Sequence, residues 1–410
     1  MKKFLKVITA AAASLGLVFA AVLGTADYFT PDSFTVTKGS SLEWLSGAFS
    51  VEGEGSGEIS TSAGTAYPQR FTGELMLYRL IPIKTVNVSV VDETCLIPCG
   101  TPFGIKMLTN GVMIVGIADI KTEKGTVNPA NLAGLKSGDV ITAINGKEVL
   151  TNNEVADIVE ESGGADLVFT VNRSNAILNI TLKPVKSEAD GLFKAGLWVR
   201  DSTAGIGTLT FYDPNTQCFG GLGHGICDSD TGEMMPLLNG DIVPVTINGI
   251  TKGQKGIPGE LRGYFKGDGA IGSLDANVAA GVYGELNYVP QGTALKVAMN
   301  QDVKVGPAQI LTTIDGETPA YYDVSIEKID YRDGVQSKNM VLHVTDPVLL
   351  EKTGGIVQGM SGSPIIQNNM LVGAVTHVFV NDPTRGYGIF AENMLIVSQS
   401  VASQIKLNAS

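Results

Sequence analysis

A mainly β fold is what this 410-residue chain predicts, and three observations predict it. Its 50 glycines stand among many runs of Val, Ile and Thr, a composition suited to pleated strands and tight turns. Short strand-like stretches recur with turn signals between them, among them Asp241 to Val245, Gly256 to Leu261, Ala294 to Met299, Ala308 to Thr313 and Met340 to Val344. No long helical periodicity separates them, which is the pattern of a barrel or sandwich. With 44% hydrophobic residues the chain has apolar material for two or three cores.

Composition also excludes. A formal charge of −12 argues against nucleic acid as a partner, because phosphate binding needs a basic surface. The four cysteines fall as Cys95-x3-Cys99 and Cys218-x8-Cys227, not in the C-x2-C spacing of a zinc site. His224, His343 and His377 are the only histidines and no H-E-x-x-H occurs, so neither a metal nor another cofactor is expected. Gly253 to Gly256 is glycine-rich but no G-K-[ST] follows, so a phosphate loop is not supported. Disulfides in an exported chain and buried free thiols both fit the cysteine pairs.

The N-terminus carries Lys2, Lys3 and Lys6, and Val7 to Ala26 then runs without a charge, long enough to span a bilayer. The lysines would stay cytoplasmic and the chain after Asp27 would lie across the membrane. A cleavable signal is the competing reading, with small residues at Gly24, Thr25 and Ala26. Either way the protein is expected to be exported. In residues 27–98 a small β-rich segment is expected, with strands at Phe71 to Tyr78 and Lys84 to Val90, and a linker is expected from Phe49 to Gly57 and beyond.

From Cys99 to Val185 the order is clearer. Gly111 to Gly116 reads as a buried strand, Asn128 to Leu135 as a short helix with an Asn cap and a proline in its first turn, and Asn153 to Ser162 as a second helix. Alternation on either side of Asn145-Gly146 marks a hairpin, and strands follow at Asp166 to Val171 and Ala176 to Leu182. The run Gly134 to Val149 closely resembles the PDZ domains of membrane-associated bacterial proteases. That resemblance implies an α+β unit over 99–186, with Phe103 to Met107 as the loop that binds a peptide C-terminus, hence Gly104, Ile105 and Met107 as peptide-binding residues. A PDZ unit kept only as a spacer is the plainer alternative.

The chemistry centres on Gly359-Met360-Ser361-Gly362-Ser363-Pro364. Glycines on both sides of Ser361 let a substrate carbonyl approach the backbone and let N–H groups converge, the geometry of an oxyanion hole. A hydroxyl attacks a carbonyl only when a base takes its proton, and histidine has the suitable pKa. His224, framed by Gly223 and Gly225 on a loop, ranks first, His377 second, and His343, inside an apolar strand, reads as a sheet residue. Asp346, at the end of a strand, is chosen to orient the imidazole over the loop carboxylates Asp228 and Asp230. Ser363 as nucleophile would leave the glycine-flanked position unused.

The serine turn, strand, Asn turn and Leu371-Val372-Gly373-Ala374-Val375 resemble the nucleophile hairpin of chymotrypsin-like serine proteases, which implies a double β-barrel and an oxyanion hole from the N–H groups of Gly359 and Ser361. Met360 stands where those enzymes carry an acidic residue. A narrower resemblance rests on Gly196 to Pro214, Gly221 to Gly232, Lys252 to Phe265 and Gly355 to Phe390: with the PDZ unit and the N-terminal segment, the chain is similar to the stage IV sporulation protein B serine peptidase family. The resemblance implies Ser361, His224 and Asp346 as catalytic residues, and a partition into a signal or transmembrane segment 1–26, a juxtamembrane segment 27–98, the PDZ domain and a peptidase domain 187–410. It implies that the enzyme is membrane-associated in the space between forespore and mother-cell membranes. There it is expected to cleave itself and then a membrane-protein regulator of an intramembrane protease, with sigma-factor activation as the result. A catalytically silent PDZ adaptor recruiting membrane proteins is the alternative of a different class.

Overall fold

The strand expected at Gly111 to Gly116 is the far end of a longer one, and that length decides the architecture. A computed structural model describes residues 24–38, 42–44, 47–52, 69–267, 269–332 and 334–408, with single positions 14, 17 and 21 ahead of them. In it Pro102–Ile117 is one strand of 16 residues, and Leu197–Tyr212 is another. They pair antiparallel along almost their whole length, from Thr208 against Pro102 to Leu197 against Ile117. Their near halves belong to a barrel and their far halves to the PDZ unit.

The first barrel runs from the near half of Pro102–Ile117 to Leu197–Tyr212, Cys218–Gly221 and Gly281–Glu285. A bridge between Gly272 and Leu286 and the pairing of Gly272–Ser273 with Leu237–Thr251 bring it back to Pro102–Ile117. Alternate positions point inward, so Phe103, Ile105 and Met107 fill the core with Leu209, Phe219 and Val282. A second barrel closes in the order Gly306–Thr312, Ala320–Ile329, Met340–Val344, Asp382–Phe390, Met370–Phe379, Pro364–Gln367 and back to Gly306–Thr312. Ile310, Ile326, Leu342, Ile365 and Val372 form its core. Each such fully buried side chain contributes roughly 1.5–3 kcal/mol. Between the barrels a third cluster includes Leu96, Phe211, Tyr283 and Leu371, and the helix Ala391–Asn408 covers it through Met394 and Leu395. That helix has no counterpart among the sequence expectations.

The PDZ unit is an insertion into the first barrel, not a domain ahead of the peptidase. Its core runs from Val112 to Ala195. The expected boundaries are therefore corrected: residues 99–110 are barrel, and the peptidase fold takes in strands from Cys95–Pro98 onward. Inside the insertion the local readings hold. Asn128 caps Pro129–Ala133, accepting from the Asn131 N–H. Thr151 and Glu154 form a capping box on Asn152–Glu161. Asn145 and Gly146 both have positive φ in the turn between Val140–Ile144 and Lys147–Glu148.

Ahead of the barrels, Ser33–Thr37, Ile81–Val91, Gln69–Leu77, Phe49–Glu52 and Glu43–Trp44 make a five-stranded sheet in that order. Its core of Phe34, Trp44, Leu75, Val86 and Val88 packs on the second barrel through Tyr331, whose ring centroid lies 5.1 Å from that of Trp44. The linker expected from Phe49 begins as the strand Phe49–Glu52, and residues 53–68 lie outside the described residues. The apolar segment Val7 to Ala26 also lies largely outside them. Among the described residues no helix is long and apolar enough to cross a membrane.

Candidate active site

Ser361 sits on a turn that ends at the strand Pro364–Gln367, and that turn is braced from both barrels. Within it the Met360 N–H donates to Val357 O at 3.1 Å and the Ser363 N–H to Met360 O at 3.0 Å; the Gly362 N–H reaches Val375 O at 2.7 Å. Gly359 and Gly362 have φ of +94° and +97°, the left-handed region that favours glycine. A Cβ on Gly362 would also stand 2.0 Å from Thr208 O and 2.6 Å from Leu222 N. The first barrel grips the same turn through two buried threonines. Thr208 donates from its N–H to Ser361 O at 3.0 Å and from Oγ1 to Gly359 O at 2.8 Å, and Thr210 Oγ1 donates to Gly362 O at 2.7 Å. These threonines were not read from the sequence; their alternation on the glycine-interrupted strand was the available signal.

The turn leaves two donors open. Among the described residues no acceptor meets the N–H groups of Gly359 and Ser361, while those of Met360, Gly362 and Ser363 are committed. Ser361 Oγ donates to Thr376 O at 2.6 Å. Ser363 is fully buried, with Oγ donating to Met360 O at 2.6 Å and bonded to Thr312 Oγ1 at 2.9 Å. Its hydroxyl is part of the brace.

His224 follows the strand Cys218–Gly221 through Leu222 and Gly223, both with positive φ. Space demands glycine on both sides: a Cβ on Gly223 would meet Thr376 Cγ2 at 2.9 Å, and one on Gly225 would meet Met234 Sδ at 2.9 Å. His224 Nδ1 is 2.9 Å from Gly225 O. A carbonyl only accepts, so Nδ1 carries the proton and Nε2 is left as the basic nitrogen. Burial lowers the His224 pKa, and the Gly225 carbonyl opposes this in part. Ser361, His224 and His377 line one cleft of about 520 Å³, walled by Ile206, Ile226 and Val357. The ring centroids of His224 and His377 are 4.7 Å apart, with planes tilted by 36°. His377 Nδ1 is buried without a hydrogen-bond partner, and burial, then the charges of His224 and Lys338, push its pKa down to about 4.

The other expected site residues lie elsewhere. Asp346 does not line this cleft; it caps the helix Pro347–Thr353, accepting from the Leu349 N–H at 2.9 Å and the Asp323 N–H at 3.4 Å. Asp-Pro at the start of a helix is the N-cap signal that the sequence carried. Asp228 is buried and paired with Arg200, and Asp230 takes the same guanidinium at 2.8 Å. Burial opposes the charge of Asp228, but bonds from Thr231, the Asp230 N–H and Arg200 hold its pKa low. His343 lies 3.1 Å from Glu327 on the second barrel.

Gly104, Ile105 and Met107 are corrected as peptide-binding residues. Their strand is paired on one side with Leu197–Tyr212 and on the other with Leu237–Thr251, so no edge remains for a peptide to join. The groove in the PDZ unit instead runs between Asn152–Glu161 and residues 192–199, a cavity of about 430 Å³ lined by Val155, Val159, Phe193 and Trp198. All four cysteines are free thiols, and Cys227 lines the cleft shared by Ser361 and His224. Among the described residues no cluster of His, Cys, Asp and Glu could hold a metal ion.

Comparison with known proteins shows the family. The Lactococcus lactis protein LL2128, whose name describes a zinc metalloprotease, is 38% identical over 77 residues, which are 19% of this chain and 17% of that protein. The chain thus spans about a sixth of that curated relative's length. Among solved structures, the inactive form of the Rv3671c protease is 13% identical over 48% of this chain and 83% of its own, with a TM-score of 0.27. The active form, from M. tuberculosis, is 13% identical over 49% and 74%, with a TM-score of 0.28. Residues 128–173 match the PDZ domain family, inside the insertion between the two long strands. Residues 191–395, half of the chain and the part that holds His224, Ser361 and His377, match the family described as SpoIVB peptidase S55, and the chain belongs to that family of serine endopeptidases.

Proposed function

We propose that Ser361 is the nucleophile, His224 its general base, and the N–H groups of Gly359 and Ser361 the oxyanion hole. The single observation that carries this reading is the pair of uncommitted N–H groups on a glycine-dependent, doubly braced turn beside His224. In the resting arrangement the Ser361 hydroxyl is turned to Thr376 O. Catalysis begins when it swings to His224. Nε2 takes the proton as Oγ bonds to the substrate carbonyl carbon; the carbonyl oxygen gains the electron pair and settles against the two N–H groups. His224 then gives its proton to the departing amine, and water repeats the sequence on the acyl-enzyme. Losing one such donor typically costs roughly 10²- to 10³-fold in rate.

The substrate is a protein chain. In keeping with its family, the enzyme acts in endospore formation, in the space between forespore and mother-cell membranes. It first releases its own N-terminal segment and then cleaves a membrane-protein regulator of an intramembrane protease, the signal for sigma-factor activation. Support comes from the basic residues ahead of Val7 to Ala26, which suit export, and from the PDZ unit. The groove beside Asn152–Glu161 is where an extended peptide would be held, by backbone pairing with apolar side chains beneath. The long paired strands that carry this unit also supply Thr203 and Ile206 to the wall of the catalytic cleft. Purified full-length protein in detergent, with no other protease present, is expected to shorten at its N-terminus, whereas Ser361→Ala stays intact. Normal shortening of Ser361→Ala would refute the assignment.

A further inference from the structure

The strand Leu197–Tyr212 lines two sites at once. Leu197 to Val199 line the groove of the PDZ unit, and Thr203 to Ile206 line the cleft beside Ser361. One edge of the strand is paired with Pro102–Ile117 from Leu197 to Thr208. On the other edge, Cys218–Gly221 pairs only from Leu209 onward and Cys95–Pro98 only from Phe211. Among the described residues no strand pairs with that second edge between Leu197 and Gly207. An edge left open in this way is a template for an extended chain.

The alternation of the ladder fixes which groups lie open. Thr208 turns its N–H and carbonyl to the second edge, donating to Ser361 O at 3.0 Å and accepting from the Leu222 N–H at 3.3 Å. The two-residue period then places the N–H and carbonyl groups of Ile206 and Ala204 on the same edge, in line with the serine turn. In the PDZ half, Ile114 stands opposite Val199 and spends its N–H and carbonyl on Asp139 and Gly138, so Val199 also faces away from Pro102–Ile117. Gly196 O accepts from the Ala118 N–H, which turns Leu197 outward by the same rule. Gly196 has a φ of +75°, and a Cβ on it would stand 2.7 Å from Ala118 O, so the chain enters the strand through a turn that requires glycine. Among the described residues no acceptor meets the N–H groups of Gly196 and Leu197. Two open N–H groups at the end of an apolar groove suit a terminal carboxylate.

The two ends of this edge are held at a set spacing. Arg200, beside the bulge at Asp201, pairs with Asp228 and Asp230 on the loop that follows His224, and Asp201 Oδ2 accepts from the Asn152 N–H at 2.8 Å. The helix of the groove and the loop of the base are thus tied to one short stretch of strand. We propose that the open edge is a ruler: the C-terminal stretch of a substrate protein lies along it antiparallel, with its carboxylate at Gly196 and Leu197 and its apolar last side chain in the groove, and the peptide bond that reaches Ser361 is cut at a set distance from the C-terminus. The proposal deepens the reading of Ser361 and His224 as nucleophile and base, and it rests on that reading. Polarity follows from the substrate chain itself: with its carboxylate at Leu197, the residues over Ile206 come earlier in its sequence, so the peptide running back to the groove is the leaving group. Its new amino end takes the proton from His224, and the upstream part stays on Ser361 as the acyl-enzyme until water releases it. Leu197 to Ile206 is about nine steps of strand with one bulge, so at ~3.3 Å per step the leaving peptide is roughly 30 Å and about 8–10 residues long.

The test uses full-length enzyme in detergent, titrated by covalent labelling of Ser361 with a fluorophosphonate so that every rate is per active site. The probes are synthetic peptides of varied sequence, roughly 25 residues long so as to exceed the ruler, ending in Val, Leu or Phe and supplied as free acids or as C-terminal amides. Cut positions are read by mass spectrometry. Free acids are expected to be cut mainly about 8–10 residues before the C-terminus, and amides about 10-fold more slowly with cuts spread along the peptide. Ala204→Pro removes an N–H from the open edge without breaking a bond to Pro102–Ile117, and Val155→Glu puts a charge into the groove; each is expected to bring the acid-to-amide rate ratio to about 1. The comparison of acids with amides needs no variant, so misfolding of either substitution leaves the test standing. The inference is overturned if acids and amides are cut at the same positions and rates, if cuts keep a set distance from the N-terminus instead, if either folded variant keeps the wild-type ratio, or if Ser361 is labelled but no free acid is cut. If the fluorophosphonate leaves no adduct on Ser361, the nucleophile assignment falls first and this inference with it.

Discussion

His343 and His377 both sit on strands of the second barrel, flanked by apolar or β-branched neighbours, yet they occupy opposite chemical settings. His343 is about one-third exposed and lies beside Glu327, which Arg385 also holds at 2.8 Å. His377 faces the cleft that holds Ser361, against another imidazole, with Nδ1 unpartnered. The barrel therefore supplies a carboxylate to the histidine outside the cleft and withholds one from the histidine within it. The difference teaches that the cleft is arranged to keep its imidazoles neutral at rest: desolvation is the largest influence on both His224 and His377, and it acts against charge on each.

Outside the nucleophile and its base, the brace beneath the cleft gives the largest expected change in stability. Thr208→Val keeps the shape of the side chain but removes the donor to Gly359 O, leaving a carbonyl of the turn without that partner. A loss of roughly 1–3 kcal/mol in stability is expected. Because Gly359 also carries one of the two open N–H groups, labelling of Ser361 should slow by about 10-fold. Unfolding in urea and labelling kinetics on the same preparations check both.

Acidification should separate the two histidines more gently. The unfolded chain takes up protons near the ordinary histidine value of 6.5, whereas folded His377 does so only near about 4. The His377 share of stability is thus expected to be lost as pH drops from about 6.5 to about 4, while carboxylates held low, such as Asp228, lose theirs only in more acid solution. In thermal melts between pH 7 and 4, His377→Phe should lose less of its melting temperature than wild type does. His343→Gln is the smallest expected effect: an exposed pair is worth about 0–1 kcal/mol, and both labelling and its acid midpoint should be unchanged. A shifted midpoint in His343→Gln would break the comparison.

What the sequence disclosed was local. Gly359 to Pro364 announced a turn because glycine is needed at Gly362 for both φ and space, and the glycines around His224 marked a loop for the same reasons. Caps and the Asn145-Gly146 hairpin were legible because they depend on near neighbours in the chain. The insertion of the PDZ unit was hidden, since Pro102–Ile117 is continuous in sequence and only the partner on one of its edges changes halfway along, from Leu237–Thr251 to Val140–Ile144. Phe103 to Met107 consequently passed for a ligand loop although its alternating side chains fill a barrel. The sequence offers His377 only as a rival base, because a contact between residues 224 and 377 depends on how two barrels meet. The helix Ala391–Asn408 went unread for a related reason: much of its apolar face serves the cluster between the barrels.

The central claim is that Ser361 and His224 form one working site in the cleft between the barrels. Peptide mapping of the full-length protein after fluorophosphonate treatment tests it most directly. The account predicts a single adduct on Ser361 that disappears in His224→Ala; an adduct on buried Ser363, or one on Ser361 that survives the loss of His224, would contradict it.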